Sequence, residues 1–200
     1  DVGRKDEGFF DQARHWRYRV GLSQILSRRW LASLNFEAVS DDGFLGSPYR
    51  SALVFGAAVP ERMPRTRTSR ATKFRVSGEV APALSMRGEY RYFWDTWDIS
   101  SHTFDLGAVR RFGEQWLVDV YARAYQQSGA LFYSDNATSE TLYITRNRQL
   151  SDFKSVAVGA KGAYTWKRVP GQYEIRMHGA LELSKTDFSD FTDLRTGSLY

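Results

Sequence analysis

The 200-residue chain has no cysteine and only three histidines, His15, His102 and His178. Without cysteine there are no disulfides and no thiolate metal sites. The three histidines stand too far apart to form a metal pair on one strand. No apolar run approaches the roughly 18 residues of a membrane-spanning helix, and the opening "DVGRKDEGFFDQ" does not read as a signal peptide. A chain with these absences is either soluble or crosses a membrane as a β-barrel.

Charge excludes a further class. The net charge is +5, but 28 Lys and Arg are nearly matched by 23 Asp and Glu. The basic residues are spread along the chain, so no nucleic-acid footprint is expected. What the chain has in quantity is aromatic residues, at 15% of the sequence. These favour strands and interfaces.

Eight stretches alternate with a period of two. In "HWRYRVGLSQ", Trp16, Tyr18, Val20 and Leu22 oppose Arg17, Arg19, Gly21 and Ser23. In "RRWLASLNFEA", Trp30, Ala32, Leu34, Phe36 and Ala38 oppose Ser33, Asn35 and Glu37. The third and fourth stretches set Phe74 and Val76 against Lys73, Arg75 and Glu79, and Tyr90, Tyr92 and Trp94 against Arg87, Glu89 and Arg91. The fifth sets Phe104 and Leu106 against Asp105, and the sixth sets Trp116, Val118 and Val120 against Asp119, Tyr121 and Arg123. The seventh has Val156, Val158, Tyr164 and Trp166 opposite Lys161. The eighth has Tyr173, Ile175, Met177, Leu181 and Leu183 opposite Glu174, Arg176, His178 and Glu182. No helix of useful length is expected.

Short connections ("SRR", "APAL", "FGEQ", "KRVPG") alternate with mostly long polar ones at about residues 40–68, 128–152 and beyond 184; "DTWDIS" is short. This rhythm belongs to an antiparallel up-and-down meander whose two ends meet different surroundings. A soluble barrel or sandwich alternates in the same way, with its apolar side chains in a packed interior. Two features favour lipid instead. Trp30, Trp116 and Trp166 gather beside short turns and Trp94, with Trp97, marks the other end, as interfacial girdles do. Small residues such as Ala32, Ala122, Ala160, Gly78, Gly88, Gly162 and Gly179 occupy the middle of the apolar face. A soluble core would need volume there, whereas lipid fills such gaps.

The stretches "RVGLSQILSRRWLASLNFE", "GSPYR", "YRYFWDTWDISSHT", "YQQSGALFY" and "LSDFKSVAVGAKGAYTW" resemble a family of bacterial outer-membrane β-barrels known as a conserved domain of unknown function. The resemblance covers most of residues 19 to 166 and implies fold and location, with no catalytic residues to carry over. It also implies that residues 1–200 are one segment of a larger, even-stranded barrel. On that reading an odd number of strands precedes residue 13 and at least one follows residue 184.

The expected fold is therefore an all-β transmembrane barrel segment in a bacterial outer membrane. Its lumen is lined by Arg17, Arg19, Glu37, Lys73, Arg75, Glu79, Arg87, Glu89, Arg91, Asp105, Asp119, Arg123, Lys161, Glu174, Arg176, His178 and Glu182. Trp16, Trp30, Trp94, Trp116, Trp166 and Tyr173 are the expected interface aromatics. In "ERMPRTRTSR", Arg62, Arg65, Arg67 and Arg70 are candidate phosphate contacts for lipopolysaccharide or for anionic solutes. No cofactor, metal or catalytic residue is expected. A Ser/His/Asp arrangement around "SSHTFD" would need neighbours on one strand to face the same way. Three functions remain in view: porin-like passage, a scaffold holding another outer-membrane or periplasmic protein, and a soluble binding protein. In the last, Trp30, Leu34 and Phe36 would point into a packed core.

Overall fold

The computed structural model describes residues 2–4, 9–194, 196–197 and 199. A small hairpin, β1 (Val2–Arg4) with β2 (Phe9–Asp11), precedes the main sheet. Eight long strands follow: β3 (Ala13–Ser27), β4 (Trp30–Gly43), β7 (Thr66–Ala81), β8 (Leu84–Asp95), β9 (Ser100–Phe112), β10 (Trp116–Gln127), β11 (Phe153–Val169) and β12 (Tyr173–Phe188). A second hairpin, β5 (Ser51–Val54) with β6 (Ala57–Pro60), lies between β4 and β7. All eight alternating stretches are strands, and each pairs antiparallel with its neighbour in sequence. The fold is an up-and-down all-β meander. The sheet is not closed, because β3 and β12 each have an unpaired edge.

The short connections are tight turns. Gly113 and Gly171 adopt positive φ values of 59° and 72°, and Ala83 takes the same region at 62°. Register shows that the strands are inclined to the sheet axis. One row of paired residues runs Val20, Phe36, Thr72, Tyr92, His102, Gln126, Lys154 and Asp187 from β3 to β12. It starts seven residues inside β3 and ends one residue from the end of β12. Such a stagger is required of a sheet that curls toward a barrel.

The core lies away from the sheet's apolar face. Trp97, Ile99, Ala130 and Leu150 form one buried cluster, and Ala52, Val54 and Ile144 another. Trp97 and Ile99 lie in the short connection after β8, and the other members lie in the long connections, for which the sequence predicts polar loops. Main-chain bonds tie these loops together: Arg62 and Ile144 exchange N–H···O bonds of 3.0 and 2.7 Å, and Ala137 N–H donates to Leu53 at 2.9 Å. Trp97 is a correction to the girdle reading. It is 4% exposed, its indole N–H donates to the Thr66 carbonyl at 3.0 Å, and the Arg67 guanidinium lies 4.5 Å over its ring.

The loop layer folds inward. Ser69, Ala71, Ser101 and Gln127 are buried, whereas Arg70, His102 and Gln126, their immediate neighbours on the opposite face, are exposed. Gln127 anchors the layer by donating from Nε2 to the carbonyls of Gln149 (3.0 Å) and Ser151 (2.7 Å). Ile144→Ala is expected to loosen this layer by about 2–5 kcal/mol without unpairing the long strands. Limited proteolysis within residues 128–152, together with far-ultraviolet circular dichroism, checks both halves of that expectation.

Candidate functional site: a charged inner face

Antiparallel register puts directly opposed residues on one face, so the polar sets of the eight strands merge into one surface. Arg17 and Arg19 both reach Glu37, at 3.1 and 3.2 Å. Lys73 and Arg75 flank Glu89 at 3.5 and 3.9 Å. Arg123 binds Asp105 at 2.9 Å, and Arg176 and Arg168 hold Glu174 at 2.5 and 2.8 Å.

Two contacts skip a strand altogether. Arg87 of β8 crosses β9 to reach Asp119 of β10 at 2.9 Å, and Tyr121 of β10 crosses β11 to donate to Glu182 of β12. Side chains converge in this way on the concave side of a curved sheet. Each crossing passes over a glycine, Gly107 under Arg87 and Gly159 under Tyr121, where a Cβ would overlap the crossing side chain. Sequence reading identified Tyr121 only as a polar-face residue; the glycines opposite it were the available signal.

Of the lumen candidates, the nine cations Arg17, Arg19, Lys73, Arg75, Arg87, Arg91, Arg123, Lys161 and Arg176 share this face with the seven carboxylates Glu37, Glu79, Glu89, Asp105, Asp119, Glu174 and Glu182. Arg91 and Lys161 rest on aromatic rings, Phe93 at 5.3 Å and Tyr121 at 5.2 Å. His178 faces inward opposite Ala163 and has no carboxylate partner among the described residues. Three clefts open on this surface, one of them, of about 490 Å³, between Glu89, Arg91, Asp105, Arg123 and Tyr125. Another of about 300 Å³ is lined by Arg75, Arg87, Glu89, Asp105, Tyr121, Arg123, Lys161 and Glu182, and one of about 380 Å³ lies between Arg19, Glu37, Lys73, Glu89 and Arg91.

The opposite face is apolar and bare. Val20 is 72% exposed, Leu106 65% and Leu181 69%. Trp30, Leu34 and Phe36 are exposed as well, so no packed interior receives them. The girdle candidates lie at the ends of this face. Trp116 packs on Tyr164 at 4.6 Å, Trp30 covers Gly78, Trp166 sits at a bulge, and Lys167 lies 5.7 Å over Tyr173, all beside short turns. At the loop end, Trp94 stacks on Tyr92 at 5.3 Å, and Trp16 is exposed. His102 also points outward, bonded to the Tyr90 hydroxyl at 2.8 Å, and so faces away from Asp105.

The four candidate phosphate arginines do not form one patch. Arg62 pairs with Glu140 at 3.3 Å, Arg65 grips Asp11 with two bonds of 2.8 and 2.9 Å, and Arg67 binds Asp95 at 2.5 Å. Arg70 alone points to the apolar face. The bond from Arg65 holds the Asp11 carboxyl below its ordinary range. Among the described residues no group of three or more His, Asp or Glu is placed to hold a metal ion.

The family described as "Protein of unknown function (DUF3570)" matches residues 4–178. The chain belongs to this family. No curated relative matches it in sequence. Two solved structures resemble it distantly. A "Bacterial polysaccharide outer membrane secretin" has 9% identity and a TM-score of 0.39, with 94% of this chain and 76% of that one covered. A "NanC porin structure in rhombohedral crystal form" has 10% identity and a TM-score of 0.30, with 90% and 98% covered.

Gly159→Val is expected to push Tyr121 off its path and abolish the contact with Glu182 while β10–β11 pairing persists; the chemical shift of the Tyr121 ring checks it. In the loop layer, Tyr133 donates its hydroxyl to the Asp190 carbonyl at 2.5 Å. Burial, with Asp135 and Asp190 nearby, pushes its pKa up to about 12. An unfolded tyrosine ionises near 10. The neutral hydroxyl's contribution is therefore complete below about pH 10 and is lost as pH rises toward 12. Tyrosinate absorbance titrated alongside loop proteolysis should show both changing in that window, and Tyr133→Phe should remove the late-titrating component.

Proposed function

We propose that this chain forms wall strands of a bacterial outer-membrane β-barrel and acts, without catalysis, as a porin-like passage for small anionic solutes. The observation that carries this reading is the inversion of the sheet. Its converging face is charged and clefted, while its diverging face is apolar and exposed along every long strand. Water would penalise such an apolar surface by about 25 cal/mol per Å², whereas hydrocarbon removes the penalty. Exposed aromatics at both ends of that face suit the two interfaces.

Lipid tolerates no open sheet edge, because unpaired N–H and C=O groups have no partner there. The edges of β3 and β12 must therefore be paired in the membrane. As the first and last of eight up-and-down strands, β3 and β12 run antiparallel, so direct closure or insertion of an even number of strands satisfies both.

Anion preference follows from the excess of cations on the inner face, where Glu37, Glu89 and Glu174 each serve two of them. Arg91 and Lys161 keep their charge available above aromatic rings, and paired residues such as Arg75 sit beside the same clefts. Full-length protein in planar bilayers is expected to conduct with chloride favoured over potassium. The double variant Arg91→Glu/Lys161→Glu is expected to reverse the sign of the zero-current potential in a salt gradient. Sealed bilayers at high protein load would remove passage from the reading.

A further inference from the structure

The four arginines of "ERMPRTRTSR" meet four different surroundings. Carboxylates take up Arg62, Arg65 and Arg67. Arg70 has an exposed side chain with no ion pair, hydrogen bond or ring partner among the described residues. Its chain neighbours Ser69 and Ala71 face inward and are buried beneath the loops, so Arg70 faces outward on the apolar surface, opposite Ala38 of β4 and Trp94 of β8.

Its height on the wall is informative. Arg70 lies four residues from the loop end of β7, and Trp94 lies one residue from the loop end of β8. Trp94 is fixed there by Tyr92 at 5.3 Å and Phe36 at 6.4 Å. An indole held on an outer surface marks the boundary between hydrocarbon and headgroups. An arginine is costly at the midplane of a barrel's lipid face and nearly free of cost at that boundary.

The other outward cations are mostly occupied, Lys154 of β11, which stands opposite Asp187, being an exception. Arg110 lies over Phe112 at 5.0 Å, Lys167 over Tyr173, and Lys185 pairs with Asp187 at 2.9 Å. Arg14, outward near the top of β3, resembles Arg70 in having no such partner among the described residues. It stands two strands away, roughly 10 Å sideways at ordinary strand spacing. A guanidinium at headgroup depth presents a planar fork that matches two oxygens of a phosphate.

We infer that Arg70, beside Trp94 and with Arg14 two strands away, binds the phosphate of an acidic glycolipid headgroup in the outer leaflet, the phosphorylated end of lipopolysaccharide. The inference rests on the outer-membrane reading above and gives that wall a lipid partner and a vertical position. The passage lies on the other face of the sheet, so lipid binding and conduction are separable.

The test uses the full chain in detergent micelles, titrated with diphosphorylated lipid A and with its fully dephosphorylated counterpart, with bound lipid read by native mass spectrometry. Wild type is expected to retain the phosphorylated lipid in preference. Arg70→Gln should weaken that binding about tenfold, the scale of one charge-assisted contact, while Arg70→Lys gives an intermediate value. Arg70 is exposed, so neither variant removes packing; unchanged circular dichroism verifies this. Equal retention of the two lipids, or wild-type affinity in Arg70→Gln, overturns the inference even if the protein inserts into vesicles. If the chain instead stays dispersed and monomeric without detergent, the outer-membrane reading falls and the headgroup site falls with it.

Discussion

The ladder of main-chain hydrogen bonds from β3 to β12 is what the rest of this structure depends on, since among the described residues no other layer packs against the sheet's apolar face. In water each such bond contributes only about 0.5–1.5 kcal/mol net. In hydrocarbon, where an unpaired group costs several kcal/mol, the same ladder becomes obligatory. Outer-face side chains can then be small without penalty: Gly162 and Gly179 sit directly opposite each other with open space above them. A soluble core would not leave that gap unfilled.

The inner face obeys a different constraint. Its ion pairs are mostly solvent-exposed, and individually such pairs add little stability. Their effect is to organise charge. Gly107 and Gly159 permit Arg87 and Tyr121 to lie across a neighbouring strand, which ties alternate strands together. Arg91 and Lys161 are balanced by Glu79 and Glu182, which have no cation among the described residues, and the surplus of positive charge comes from Glu37, Glu89 and Glu174, each of which serves two cations.

The loops supply the conventional packing that the sheet lacks. Trp97 is held between the Thr66 carbonyl and Arg67, while Asp95 accepts the N–H groups of Trp97 and Ile99 at 2.9 and 3.0 Å and binds Arg67. The connection after β8 is thus a rigid corner, and the long segments on either side pack against it. Because the layer leans over the inner face, it narrows access to the charged surface from the loop end.

Period-two alternation made the eight strands legible, because adjacent side chains on a strand must point to opposite faces. Their order, their antiparallel pairing and the membership of the charged face follow from that alternation and from the short turns between them. The loop arginines were not legible in the same way. Arg67 and Arg70 are three residues apart in one basic run, yet one is sealed against Asp95 and Trp97 and the other faces outward bare. Trp94 and Trp97 diverge equally, one on the outer face and the other buried. The sequence by itself determined which residues share a face, since that depends only on local backbone geometry. Tertiary structure decided which charges are neutralised and which aromatics are buried, because partners such as Asp11, Glu140 and Ile144 arrive from distant segments whose approach no local period encodes.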